Sequence, residues 1–166
     1  MGSGKRHAAL TFGVSALLAV AMVGTAAAGH TNQVLQTDLD GRSEIASDNS
    51  NNRIVGDPNG RGEAYVFGID GDPNTLCYVL TVDKIDPATA AHIHKGAEGT
   101  NGPVVVNLAA PGDGNAADCL TEGEEGKFVG DQTVAEILSD PGSFYVNVHN
   151  DPYPGGAIRG QLAPER

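Results

Sequence analysis

The sequence predicts an all-β protein, an antiparallel Greek-key sandwich or barrel of about six to eight short strands with one short helix. Three observations predict it. Apolar and polar residues alternate over short runs along much of the chain, which is the period of a half-buried strand. Glycine and proline, 23 and 9 of the 166 residues, cluster between those runs, where turns need them. Only one stretch carries a helix-capping pattern. The length suits a single domain, expected over residues 29–166 with its core at about 33–163.

Each element follows from local chemistry. Residues 29–61 are polar, with short apolar runs at Val34-Leu35 and Ile54-Val55, and Ser47 to Arg53 reads as an exposed loop. Tyr65, Phe67 and Ile69 share one face of a strand that stops at the turn Gly71-Asp72-Pro73-Asn74. Leu76, Tyr78, Leu80 and Val82 then alternate with Cys77, Val79, Thr81 and Asp83, so the two runs read as a hairpin. A strand over Ala91 to His94, a Gly-rich loop to Pro103 and a strand from Val104 to Leu108 follow. Residues 111–126, including Cys119, read as a loop. Thr133-Val134-Ala135-Glu136 matches a capping box, and Pro141 should end that helix. The last hairpin pairs Phe144–Asn150 with Ala157–Leu162, which brings Asn147 near Arg159 and sets Gly156 or Ala157 opposite His149.

The first 28 residues read as a signal peptide. Lys5 and Arg6 form a basic start, Val14 to Gly24 is apolar, and Ala26-Ala27-Ala28 offers a small-residue cleavage site before Gly29. The alternative is an uncleaved anchor, because Leu10 to Ala28 nearly reaches bilayer-spanning length. Cleavage takes the formal charge from −11 to −13, eight basic against 21 acidic residues. Such acidity repels phosphate backbones, and an aromatic content of 5% without Trp leaves few stacking platforms for bases. The expected setting is therefore secreted or extracytoplasmic, at the cell envelope or beyond. Neither nucleic acid nor membrane insertion after cleavage is expected.

In that setting Cys77 and Cys119 are most simply one disulfide, worth about 4 kcal/mol by chain-entropy arithmetic. A metal-binding role for them is the weaker reading, since neither has a ligand-spaced neighbour. His92 and His94, two apart on a strand, project to one face. His149 shares a face with Tyr145 and Asn147 on the last hairpin, whose partner strand carries Arg159 and Gln161. If the His92 strand packs beside that hairpin, three imidazoles, a phenol and a guanidinium converge. Three imidazoles suit copper or zinc. The same residues can equally form a polar network that satisfies loop carbonyls, and Arg159 favours that network or an anionic ligand, because its charge repels a metal ion.

Here the sequence resembles a known family. The segments Ala91-His92-Ile93-His94-Lys95-Gly96 and Gly102-Pro103-Val104-Val105, then Tyr145-Val146-Asn147-Val148-His149-Asn150, then Pro154-Gly155-Gly156-Ala157-Ile158-Arg159-Gly160-Gln161-Leu162, are similar to the CHRD (chordin-domain) family. The likeness spans about residues 33–163. It is looser at the amino-terminal third, where Glu44-Ile45 stands in place of the family's Glu-Val-Pro-like segment. The resemblance implies an extracellular all-β domain with no established enzymatic activity, so it assigns no catalytic residue. The partner it implies is an unknown extracellular protein or matrix component.

A more distant likeness, by fold analogy alone, is to copper/zinc superoxide dismutases, which also order an HxH strand, a later strand histidine and an arginine. The departures are a missing metal-bridging histidine and missing zinc ligands. Two functions follow as expectations. One is a secreted, non-catalytic binding or structural module that requires no cofactor. The other is an exported copper-binding protein using His92, His94 and His149, with superoxide-dismutase-like redox activity as its extension. The oxygen-rich Asp38-Leu39-Asp40-Gly41 and Asp70-Gly71-Asp72 lack a distal calcium-binding Glu and read as solvated turns.

Overall fold

Among the described residues, alternating side chains and tight turns build nine strands and one α-helix. In a computed structural model, which describes residues 1–2, 33–46 and 55–165, the elements run β1 (Val34–Asp40), β2 (Arg61–Ile69), β3 (Asp72–Asp83), β4 (Ala88–Lys95), β5 (Val104–Leu108), β6 (Asn115–Thr121), α1 (Val134–Ser139), β7 (Phe144–Asn150), β8 (Ile158–Gln161) and β9 (Ala163–Pro164). The expected leader and its cleavage site, His7, His30 and the Ser47–Arg53 loop lie outside the described residues.

The strands pair antiparallel in the order β5-β4-β7-β8-β1-β2-β3-β6, with β9 beside β1. The order is non-sequential, because the β7–β8 hairpin sits between β4 and β1. After β6 the chain returns to β5: Val106 bridges Phe128, the Asn107 N–H donates to the Lys127 carbonyl at 2.8 Å and the Val129 N–H to the Val105 carbonyl at 2.9 Å. The result is a nearly closed, mostly antiparallel barrel or sandwich, as the alternation predicts.

One face of each of β1 to β8 fills its interior. Leu35 and Leu39 of β1, Leu76 and Leu80 of β3, Ile93 of β4, Val106 of β5, Leu120 of β6, Val146 and Val148 of β7 and Ile158 of β8 are all buried. Each such side chain contributes about 1.5–3 kcal/mol relative to exposure. The helix packs on β2 and β3 through Val134, Ile137 and Leu138. Its capping box forms as expected: the Thr133 hydroxyl accepts from the Glu136 N–H at 3.2 Å, and the Glu136 carboxylate accepts from the Thr133 N–H at 3.1 Å. Pro141 begins a 3₁₀ turn just beyond it.

Three readings of local pattern differ from the structure. Residues 115–121 form β6 rather than part of a loop. That strand has one buried anchor, Leu120, and its pairing with β3 supplies the rest. Val34-Leu35 extends into a seven-residue strand whose inward residues are Leu35, Thr37 and Leu39; the polar Thr37 hides the alternation. The turn expected over Gly71-Asp72-Pro73-Asn74 falls at Asp70-Gly71, and β3 already runs from Asp72. In β2 Tyr65, Phe67 and Ile69 share one face as expected, and it is the outer one, with Ala64 and Val66 inward. Pairing decides this, since Val66 lies opposite Tyr78 and Ala64 opposite Leu80, and those partners face the core. The aspartates 38 and 40 lie in β1, and Asp40 accepts backbone N–H bonds from Arg42 and Ser43 at 2.7 and 3.0 Å, a turn as expected.

Cys77 and Cys119 are direct partners across β3 and β6 and form a disulfide between residues 42 apart. It fastens the strand with the poorest apolar pattern. Replacing both cysteines by serine should therefore lower unfolding free energy in urea by about 2–4 kcal/mol, with β6 amides exchanging first. An unchanged denaturation midpoint would show that β6 holds without the bond.

Candidate functional site

The outer face of β4, β7 and β8 is polar where the inner face is core. Pairing sets His94 opposite Tyr145, His92 opposite Asn147 and Ala90 opposite His149, and Asn147 opposite Arg159 and Tyr145 opposite Gln161. Residues opposite one another share a face. The three imidazoles, the phenol of Tyr145 and the guanidinium of Arg159 therefore share one face, with Asn147 and Gln161 beside them.

Three loops lie against this face, and its side chains hold them there. Arg159 is 2% exposed. Its guanidinium donates to the Thr100 carbonyl at 2.6 Å and to the Asn101 side-chain oxygen at 3.1 Å, and lies 3.4 Å from the centre of the Tyr145 ring. Gln161 shares its amide N–H groups among the carbonyls of Gly96, Gly142 and Phe144 at 2.8–3.0 Å. The Gly102 N–H donates to the Tyr145 hydroxyl at 3.1 Å. Gly102 must be glycine, because a Cβ there would run into the Lys95 carbonyl. These bonds pin the 96–103 loop to the sheet.

The loop after β1 brings in a residue that sequence reasoning missed as a site member. Glu44 is 7% exposed, and its carboxylate accepts from the Asn147 amide at 3.4 Å. Gly156, at φ +138°, lies against that carboxylate, and a Cβ would come within about 2.6 Å of it. Burial pushes the Glu44 carboxyl up to about 7, although the Arg159 charge and the Asn147 hydrogen bond pull it down. Nothing local marks Glu44; a lone acid after a turn reads as solvated surface. Glu44, His94, Asn101, Tyr145, Asn147 and Tyr153 line a cavity of about 410 Å³. Oε1 of Glu44 and Oδ1 of Asn147 are buried without a hydrogen-bond partner.

The histidines form a compact group. One ring nitrogen from each of His92, His94 and His149 lies within 4.8 Å of the others. His92 Nδ1 is 3.1 Å from His149 Nε2, and the His94 ring stacks on Tyr145 with centroids 4.8 Å apart and planes 8° apart. Burial lowers the pKa of each. His92 falls to about 4 through burial and the neighbouring His149 and His94. The carbonyls of Gly102 and Pro154 partly oppose the shift at His94 and His149. All three are neutral imidazoles near pH 7.

No curated protein matches the chain. The CHRD domain family model matches residues 35–162, a span that takes in the strands of the polar face and the loops pinned to it, so this chain belongs to the CHRD domain family.

Proposed function

We propose that this chain acts outside the cytoplasm as a binding or structural module, taking its ligand in the cavity beside Glu44 and Tyr145. The observation that carries this reading is how the polar face spends its hydrogen bonds. Arg159, Tyr145 and the amide nitrogen of Gln161 are committed to loop backbone, which makes a rigid wall. Glu44 and Asn147, on the same cavity, keep acceptor oxygens free. A preorganised wall with free acceptors suits a ligand that presents N–H or O–H donors. The partner is an extracellular protein or a matrix component bearing such groups. The disulfide fits an oxidising compartment, and the leader-like residues 1–28 fit export.

Two measurements test this together. Amino-terminal sequencing of the exported chain should read Gly-His-Thr from Gly29, and a product that keeps its leader in the cytoplasm would sink the export claim. A photo-crosslinking residue placed at Tyr153, on the cavity rim, should capture a partner in the extracytoplasmic fraction. The same residue at Val79, exposed on β3, should not. Equal labelling from both positions would remove the cavity from the reading.

The buried acid has its own pH signature. Glu44 has a folded pKa of about 7, above its ordinary 4.5, so as pH rises the unfolded chain loses this proton first. Its contribution to stability is full below about pH 4.5 and is lost as pH climbs through about 7. The histidines, with lowered pKa values, act oppositely on acidification, so the comparison must be with a variant. Glu44→Gln removes the titration while keeping the neighbours Arg159, Asn147 and Asp40. Its stability relative to the parent should rise by up to about 3 kcal/mol between about pH 4.5 and 8. A flat difference across that range would show an ordinary carboxyl.

A further inference from the structure

We propose that His92, His94 and His149 form a transition-metal site, with copper the preferred ion. This stands apart from the binding-module reading, because it rests on how the imidazole protons are placed and not on the cavity's acceptors.

The placement comes from two backbone carbonyls. His94 Nδ1 lies 2.9 Å from the Gly102 carbonyl and His149 Nδ1 3.1 Å from the Pro154 carbonyl. A carbonyl only accepts, so each Nδ1 carries the proton and each Nε2 keeps its lone pair. A backbone carbonyl on the far nitrogen is the usual outer support of a metal-bound histidine. His94 Nε2 is buried and has no hydrogen-bond partner, an uncommon state for a polar atom in a network built only for stability. His92 Nδ1 then donates to His149 Nε2 across 3.1 Å. Moving that proton to His92 Nε2 frees a third lone pair beside the other two.

The spacing fits an ion. Three nitrogens at about 2.0–2.1 Å from a tetrahedral metal stand about 3.3 Å apart. One pair is already at 3.1 Å, and the widest separation, at most 4.8 Å, must close by about 1.5 Å. Arg159, which argued against a cation when only its position in the sequence was known, is turned to Thr100, Asn101 and the Tyr145 ring. Tyr145 belongs to β7, between the strand that carries His94 and the strand that carries Arg159. Three protein nitrogens leave a fourth position for a water or another ligand, as in sites with three protein ligands. Neutral imidazole suits copper and zinc, and copper binds the tighter at a given nitrogen site.

The test uses the full exported protein, stripped with chelator and titrated with Cu(II) and, separately, Zn(II) by calorimetry. One ion per chain is expected, with sub-micromolar copper affinity exceeding that for zinc. Copper electron paramagnetic resonance should show coupling to three nitrogens, a readout that needs no variant. His94→Ala and His149→Gln should each weaken copper at least about 100-fold, since losing only an outer-shell partner already costs up to about that much. Circular dichroism of each variant separates a lost ligand from a lost fold. His30→Ala is the control, because a histidine beside a new amino terminus can bind copper by itself; its affinity should match the parent's. Failure to bind either ion below micromolar concentration, or copper lost on changing His30 and kept without His94, would overturn the site.

Discussion

The antiparallel register between β4 and β7 is the constraint on which the rest depends. With His94 opposite Tyr145 and Ile93 opposite Val146, one face of the pair carries the apolar Ala91, Ile93, Val146 and Val148 and the other carries the three histidines, Tyr145 and Asn147. A slip of β4 by one residue would turn that strand over, driving His92 and His94 towards the barrel while Ala91 and Ile93 met water. The hydrophobic cost of exposing Ile93 alone is about 1.5–3 kcal/mol. The core thereby specifies the polar face without touching it.

The polar face in turn organises the loops. A single arginine, a glutamine and a tyrosine satisfy carbonyls and N–H groups from segments 96–103 and 141–144. Each such bond contributes about 0.5–1.5 kcal/mol net, and together they hold the loops on the sheet. The carbonyls of Gly102, in the 96–103 loop, and of Pro154, in the turn between β7 and β8, set the tautomers of His94 and His149. Loop position and histidine chemistry are thus one problem, linked through the backbone.

Much of this was legible beforehand. The capping box at Thr133, the two hairpins, the cysteine pair and the same-face placement of His92 and His94 all rest on contacts or periodicities within a few residues, or on the scarcity of alternatives. The elements that local pattern did not settle share a different trait. Asn115–Thr121 turns only Ala116 and Leu120 towards the core, and β2 has large side chains on its outer face. In both, cross-strand partners outweigh the local pattern. Glu44 was invisible as a site residue because its neighbour Asn147 is 103 positions away.

The sequence by itself determined the class, the helix and the family, since alternation and side-chain capping are properties of short segments. It also determined which chemistry was on offer: three strand histidines, one arginine and one disulfide. Only the tertiary structure decided which way β2 faces, that β6 is a strand, and that Glu44 is buried against Asn147 and Gly156. It alone turned Arg159 towards the 100–101 backbone and side chain and left His94 Nε2 unpartnered. The physical reason is that hydrogen-bond partners across a sheet are chosen by the joint burial of distant segments, and no local period encodes which segment that will be.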